Sequence, residues 1–270
     1  MNFEKNPFKI SLVQFEPKTN PKDNLKVAKK SVEYAKDKGA HLIAFPEMFM
    51  AYPSFSDSIK EIAQTLNGVF VSSVLDLSVK NNIYIAATFW EKSPFKDKVF
   101  NTAFLCSPEG KIITFYRKLH LFDAFDLKES RWMASGDELP EVVKINGFNV
   151  SLTLCYDLRF PELYRILALR GAHLIFVLAS WYKGILKEDH WITLLKARAL
   201  ENTVYVAGVG SVGKRFSGRS CVIDPFGVVL VDGGEEENVL FCDLSLSRIN
   251  RVREKLPTLR HFRKDLFSLT

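Results

Sequence analysis

No stretch of this 270-residue chain approaches the roughly 18 consecutive apolar residues that a membrane-spanning helix needs. Met1-Asn-Phe-Glu-Lys-Asn-Pro also lacks the apolar h-region of a signal peptide, so the reading is a cytoplasmic protein with no membrane contact. Only four cysteines occur, at 106, 155, 221 and 242, and no two form a CxxC pair. That spacing argues against a zinc knuckle or a thioredoxin-type site, and in a reducing compartment it predicts free thiols. No low-complexity linker interrupts the chain, which predicts one domain over 1–270 with 245–270 as a C-terminal arm. The net charge of +6 is mild, and only Arg248 to Lys264 is densely basic. A nucleic-acid-binding tail is one reading of that run, and a solvated or interface-forming helix is the preferred one. What remains is ordinary for a globular protein, with 47% hydrophobic and 25% charged residues.

The apolar run from Val150 to Leu154 reads as a buried strand that delivers Cys155 to a sharp bend. Pro161 and Glu162 then suit a helix start, since Pro needs no amide partner there and Glu favours the positive end of the dipole. That helix is expected to stop at Gly171. Backbone amides at such a bend are expected to lower the thiol pKa and to receive an oxyanion. A similar unit comes earlier: Asn20 as N-cap, Pro21 at the first helical position, a helix to Gly39, then Ala40-His-Leu-Ile. After Gly171 the wording returns as Ala172-His-Leu-Ile. Two helix–Gly–strand units predict two related halves of one sheet-based architecture, with His41 and His173 as structural residues. Hairpins are predicted around Ser107–Gly110, Asn146-Gly147 and Asp224–Gly227. Together these give a mixed α/β protein with helices packed outside the sheets.

Three reactive groups sit at predicted strand ends, where a scaffold presents chemistry. Glu47 closes Ala44-Phe-Pro-Glu, Lys118 follows the strand in Phe115-Tyr-Arg-Lys, and Cys155 closes the strand described above. Each alone is unspecific. In order, with the flanks Phe45-Pro-Glu47, Arg117-Lys-Leu-His-Leu-Phe122, Cys155-Tyr-Asp-Leu-Arg-Phe-Pro-Glu162 and Ala197-Arg-Ala-Leu-Glu-Asn202, they resemble the nitrilase superfamily of carbon–nitrogen hydrolases. The resemblance runs from Gln14 to about Arg263. It implies a four-layer αββα sandwich with pseudo-twofold halves, and a homodimer formed through helices beside the nucleophile and the C-terminal arm.

It also implies a Glu–Lys–Cys triad, with Glu47 as general base, Lys118 and the Tyr156 N–H as oxyanion donors, and Cys155 as nucleophile. Glu129, in Lys128-Glu-Ser130, matches the second glutamate that fixes the lysine, a plain surface glutamate being the alternative. No metal or organic cofactor is implied. Tyr156-Asp157 stands where nitrile-cleaving members carry Trp-Glu, and the wording is similar to the ω-amidase and deaminated-glutathione-amidase branch. The expected partner is therefore a small carboxylate-bearing amide, with an N-carbamoyl amino-acid hydrolase or a nitrilase as alternatives. Arg159 is the nearest cation for a substrate carboxylate, and its internal pairing with Glu162 or Asp157 is the favoured alternative. Trp181 and Phe122 are expected to shape the acyl pocket and its entrance. A papain-like Cys–His site using His120 or His190 would leave Lys118 without a role.

Overall fold

The computed structural model describes residues 7–53 and 56–267. The first half of the chain forms β1 (Phe8–Gln14), α1 (Pro21–Asp37), β2 (Leu42–Ala44), α2 (Ser56–Ile62), α3 (Val69–Asn81), β3 (Tyr84–Lys92), β4 (Val99–Ser107) and β5 (Lys111–Arg117). The second forms β6 (Val143–Ile145), β7 (Phe148–Leu154), α4 (Pro161–Leu169), β8 (Leu174–Ala179), α5 (Lys187–Asn202), β9 (Tyr205–Gly210), β10 (Cys221–Ile223), β11 (Val229–Asp232) and β12 (Asn238–Leu244). The arm adds α6 (Leu246–Lys255) and, past Pro257, α7 (Thr258–His261). Short α2 had no clear signal in the sequence.

Local chemistry accounts for the starts and turns. The Asn20 side chain accepts from the Lys22 N–H at 3.0 Å and Pro21 fills the first helical position, so α1 begins where its orphan donors are capped. Asn146 and Gly147 both have positive φ, +47° and +86°, as the tight β6–β7 hairpin turn requires.

The repeated wording becomes a repeated structure. The first sheet runs β12-β1-β2-β3-β4-β5 and the second β6-β7-β8-β9-β10-β11, in matching order. In each, two parallel pairings at the centre are flanked by antiparallel strands. His41 Nδ1 accepts from the Lys9 N–H at 3.0 Å, and His173 Nδ1 accepts from the Asn149 N–H at 3.1 Å. Both histidines thus pin a parallel strand to its neighbour, the structural role expected of them.

Alternation along the strands sets the layers. Ile10, Leu12, Leu42 and Ala44 of one sheet meet Leu152, Leu154, Leu174 and Phe176 of the other in a buried middle layer. The opposite faces carry Ile43 and Ile85 against α1 and α3, and Ile175 and Val177 against α4 and α5. The result is a four-layer αββα sandwich. The arm lies on this body: Ile249 is buried in the middle layer, and Arg248 grips Asp224 through Nε and Nη2 at 2.8 and 2.6 Å. Among the described residues no helix is long and apolar enough to cross a membrane.

Candidate active site

Three parallel strands form the centre of each sheet, β5 lies at an edge of the first, and the chain leaves β2, β5 and β7 in irregular or 3-10 segments. Glu47 lies three residues past β2, Lys118 directly past β5, and Cys155 directly past β7. Face-to-face packing brings these ends together, with Glu47 and Lys118 each 1% exposed.

Glu47 is held at both carboxylate oxygens. Oε1 accepts from Asn101 Nδ2 at 2.7 Å and from Lys118 Nζ at 3.1 Å, while Oε2 accepts from the Ser180 N–H at 2.9 Å. Lys118 Nζ also donates to both oxygens of Glu129, at 3.0 and 2.9 Å. Glu129 Oε2 in turn accepts from the Phe122 N–H at 2.8 Å. Glu129 is therefore a buried member of the cluster and not a surface residue; it opens a single 3-10 turn, Glu129–Arg131. Burial works against the Lys118 charge, but the two carboxylates outweigh it and hold its pKa well above the ordinary value. The Glu129 pKa is raised, by burial above all and by the neighbouring Glu47, against the pull of Lys118.

Cys155 departs from one expectation. Its pKa lies well above the ordinary thiol value: burial excludes the water that would solvate a thiolate, and the Glu47 carboxylate beside it repels a second negative charge. Lys118 opposes this without reversing it. These surroundings favour the thiol form beside the Glu47 carboxylate over a thiolate. Its backbone φ of +41° lies in the left-handed region, which costs a side-chain-bearing residue roughly 1–2 kcal/mol. A 3-10 turn over Cys155–Arg159 follows, and Asp157 holds it in place.

Asp157, fully buried, ties the nucleophile's turn to the lysine's loop. Its carboxylate accepts from the Leu154 N–H at 3.0 Å, Tyr116 Oη–H at 2.8 Å and the His120 N–H at 3.1 Å, and His120 Nδ1 lies 2.7 Å away. These partners occupy Asp157, and the described residues include no Arg159–Glu162 ion pair either, so the internal pairings expected for Arg159 are not made. Its guanidinium instead lies 5.0 Å from the Trp181 ring centroid, with Nη2 3.3 Å from His190 Nδ1.

A narrow cleft over Cys155 is lined by Glu47, Phe122, Glu129, Tyr156, Trp181 and Lys187, with Ser180 and Tyr182 beside them. Larger clefts beside β5 and beside the arm contain no nucleophile paired with a base. Of the residues nominated from sequence, Glu47, Cys155, Glu129, Tyr156, Trp181 and Phe122 line this cleft, Lys118 is buried between Glu47 and Glu129, and Arg159 lies against the Trp181 ring. Sequence reasoning passed over Asn101, Ser180 and Lys187, and took Asp157 only as half of the Tyr156-Asp157 pair and as a partner for Arg159. Asp157 sits inside the quoted Cys-Tyr-Asp motif and was readable as an anchor. Lys187 carried a subtler sign: a lysine at the first position of a helix opposes the macrodipole.

The chain is similar to known proteins over most of its length. The carbon–nitrogen hydrolase family model matches residues 9–254. The chain is 34% identical to a deaminated glutathione amidase of Escherichia coli O157:H7, over 89% of this chain and 91% of that one. It is 33% identical to a 2-oxoglutaramate amidase of Bacillus subtilis (strain 168), over 96% and 98%. A Nesterenkonia AN1 amidase of the nitrilase superfamily, solved as a cysteine-to-alanine mutant, superposes with a TM-score of 0.85 at 25% identity, covering 98% of this chain and 97% of its own.

Proposed function

Because the chain belongs to the carbon–nitrogen hydrolase family, we propose that it is an amidase that releases ammonia from a small aliphatic, carboxylate-bearing amide through a thioester on Cys155. The observation that carries the reading is Lys118, fully buried and bridging Glu47 and Glu129 beside Cys155. Glu47 removes the thiol proton as sulfur attacks the amide carbonyl. Moving the proton onto the adjacent base during attack avoids the buried thiolate that the environment resists. Lys118 Nζ and the Tyr156 N–H receive the oxyanion, each such donor being worth roughly 3–4 kcal/mol of barrier. The C–N bond then breaks as protonated Glu47 gives its proton to the departing nitrogen, leaving a thioester. Water, deprotonated by the same Glu47, attacks the thioester carbonyl. Collapse expels the thiolate, which recovers its proton from Glu47, and frees the carboxylic acid.

Glu129 holds the Lys118 ammonium in line, so that it need not leave Glu47 to reach the oxyanion. The names of the relatives support an amide substrate, and the Tyr156-Asp157 pair supports an amide over a nitrile. Intact-protein mass spectrometry after brief exposure to a panel of amides, carbamoyl amino acids and nitriles tests the reading. An acyl adduct on Cys155 from an amide, lost in Cys155→Ala, is the expected result. Undiminished ammonia release by Cys155→Ala would sink it.

The same reading includes a homodimer formed through α4 and the arm, where Leu266 and Phe267 are exposed. Sedimentation at micromolar protein should give twice the mass of the chain, and a monomer there would remove this part of the proposal. The four free cysteines fit a cytoplasmic site of action.

A further inference from the structure

Lys187 is the lysine of the cleft that the triad does not use. Its residue is 7% exposed, yet its ammonium has no carboxylate within ion-pair distance among the described residues. Its sequence neighbours Glu188 and Asp189 make no ion pair with it. What surrounds Nζ is aromatic: the ring centroids of Trp181, Phe122 and Phe125 lie at 4.8, 5.0 and 5.0 Å. Ring faces attract a cation and recover part of its desolvation, but they do not replace an anion. Arg159 sits over the same Trp181 ring and also has no acidic partner among the described residues, so two cations face one indole. Burial and the neighbouring Arg159 both push the Lys187 pKa down, and Cys155 acts on it in the opposite sense. Lys187 and Cys155 line the same cleft.

The backbone beneath it is fixed. Trp181 Nε1 donates to the Lys187 carbonyl at 2.7 Å, and the Lys187 N–H donates to the Gly184 carbonyl at 3.1 Å. The lysine also starts α5, where the helix dipole favours an anion over a cation. A buried, preorganised cation that opposes its own helix, neighbours a second cation and opens into the cleft is poised for an anion that arrives with the substrate.

We propose that Lys187 is the specificity-determining residue that receives the carboxylate of the acyl chain, with Arg159 reinforcing the positive field behind Trp181. This rests on the amidase reading above. The carboxylate end of the acyl chain would dock at Lys187 within the aromatic collar, which leaves the amide end over Cys155. A neutral amide of the same length would leave the cation unsatisfied and bind without orientation.

Succinamate and butyramide, which have the same chain length and differ in the terminal carboxylate, form the test. Wild-type protein should hydrolyse succinamate with the higher kcat/KM, and Lys187→Met should lower the ratio of the two values by roughly 10- to 100-fold, the range for a hydrogen bond to a charged group. Lys187→Arg should recover most of the ratio, and Lys187→Gln should resemble the Met variant if the latter folds poorly. With no variant at all, succinate should inhibit the wild-type enzyme more strongly than butyrate. Equal hydrolysis of both amides, equal inhibition by both acids, or an unchanged ratio in folded Lys187→Met and Lys187→Gln overturns the inference and leaves the amidase reading standing. Hydrolysis of neither amide overturns both.

Discussion

Lys187 lines the cleft over Cys155 and Lys118 is buried against two of its lining glutamates, yet the environments of the two lysines are opposite. Lys118 is gripped by two carboxylates through three hydrogen bonds, and its pKa rises. Lys187 is ringed by three aromatic side chains, neighbours an arginine, and its pKa falls. One cation already has its acidic partners in the resting protein, and the other has none among the described residues. The Lys118 ammonium is matched by carboxylates within hydrogen-bond reach, as a buried cation must be to persist. The Lys187–Arg159 pair is not.

Removing each lysine should expose the asymmetry. Lys118→Met takes away an oxyanion donor and leaves two buried carboxylates facing each other. We expect kcat to fall by about 10³-fold or more, and chemical denaturation to show a loss of about 3–5 kcal/mol. Lys187→Met removes only a cation that burial already disfavours, so its stability should change by no more than about 1 kcal/mol in either direction. Equal destabilisation by the two substitutions would erase the distinction.

The acidic side of the network gives the next effect. Glu47→Gln should lower turnover by about 10²- to 10⁴-fold, the range for loss of a general base, in a steady-state ammonia assay. Asp157→Asn, which turns an acceptor toward a crowd of donors, should cost about 1–3 kcal/mol in a denaturation midpoint. Because Asp157 joins the Cys155 turn to the His120 backbone, turnover should fall with it. Retained full stability would show that the carboxylate is not the tie between the two loops.

The smallest effect is a shift along the pH axis. The Cys155 pKa is raised, so the thiolate fraction at a given alkaline pH is smaller than for an ordinary thiol of pKa 9.0. Alkylation by iodoacetamide should therefore still be climbing past pH 9. Burial is the larger cause of the shift and Glu47 the next, so Glu47→Gln should move the alkylation curve to lower pH without restoring an ordinary profile. A curve that does not move would mean Glu47 contributes nothing to the thiol's titration.

Much of this was legible in the linear chain. The twin Gly-Ala-His-Leu-Ile segments announced two halves because the same turn, histidine contact and parallel pairing serve both. Cys155, Glu47 and Lys118 were readable because each lies at or within three residues of a strand end and carries specific flanks. The thiol's pKa was misread: the bend suggested helpful amides, whereas its sign is set by burial and by Glu47, which stands 108 residues away in sequence (155 − 47). Arg159 was given nearby acids as partners, but Asp157 had already been taken by Tyr116 and His120. Lys187 was overlooked because a solitary lysine beside Glu188 and Asp189 looks like any solvated helix start.

The sequence by itself determined the strands and their alternation, the caps and turns, the pseudo-repeat, and which reactive groups stand at strand ends. These depend on short-range sterics, hydrogen bonding and the two-residue period of the strand. Only the tertiary structure decided what those groups experience. Packing one sheet on the other excluded water, placed Lys118 between Glu47 and Glu129, raised the Cys155 pKa and enclosed Lys187 in rings without an anion. Electrostatic energies depend on distance and on the surrounding dielectric, and both exist only once the chain has folded.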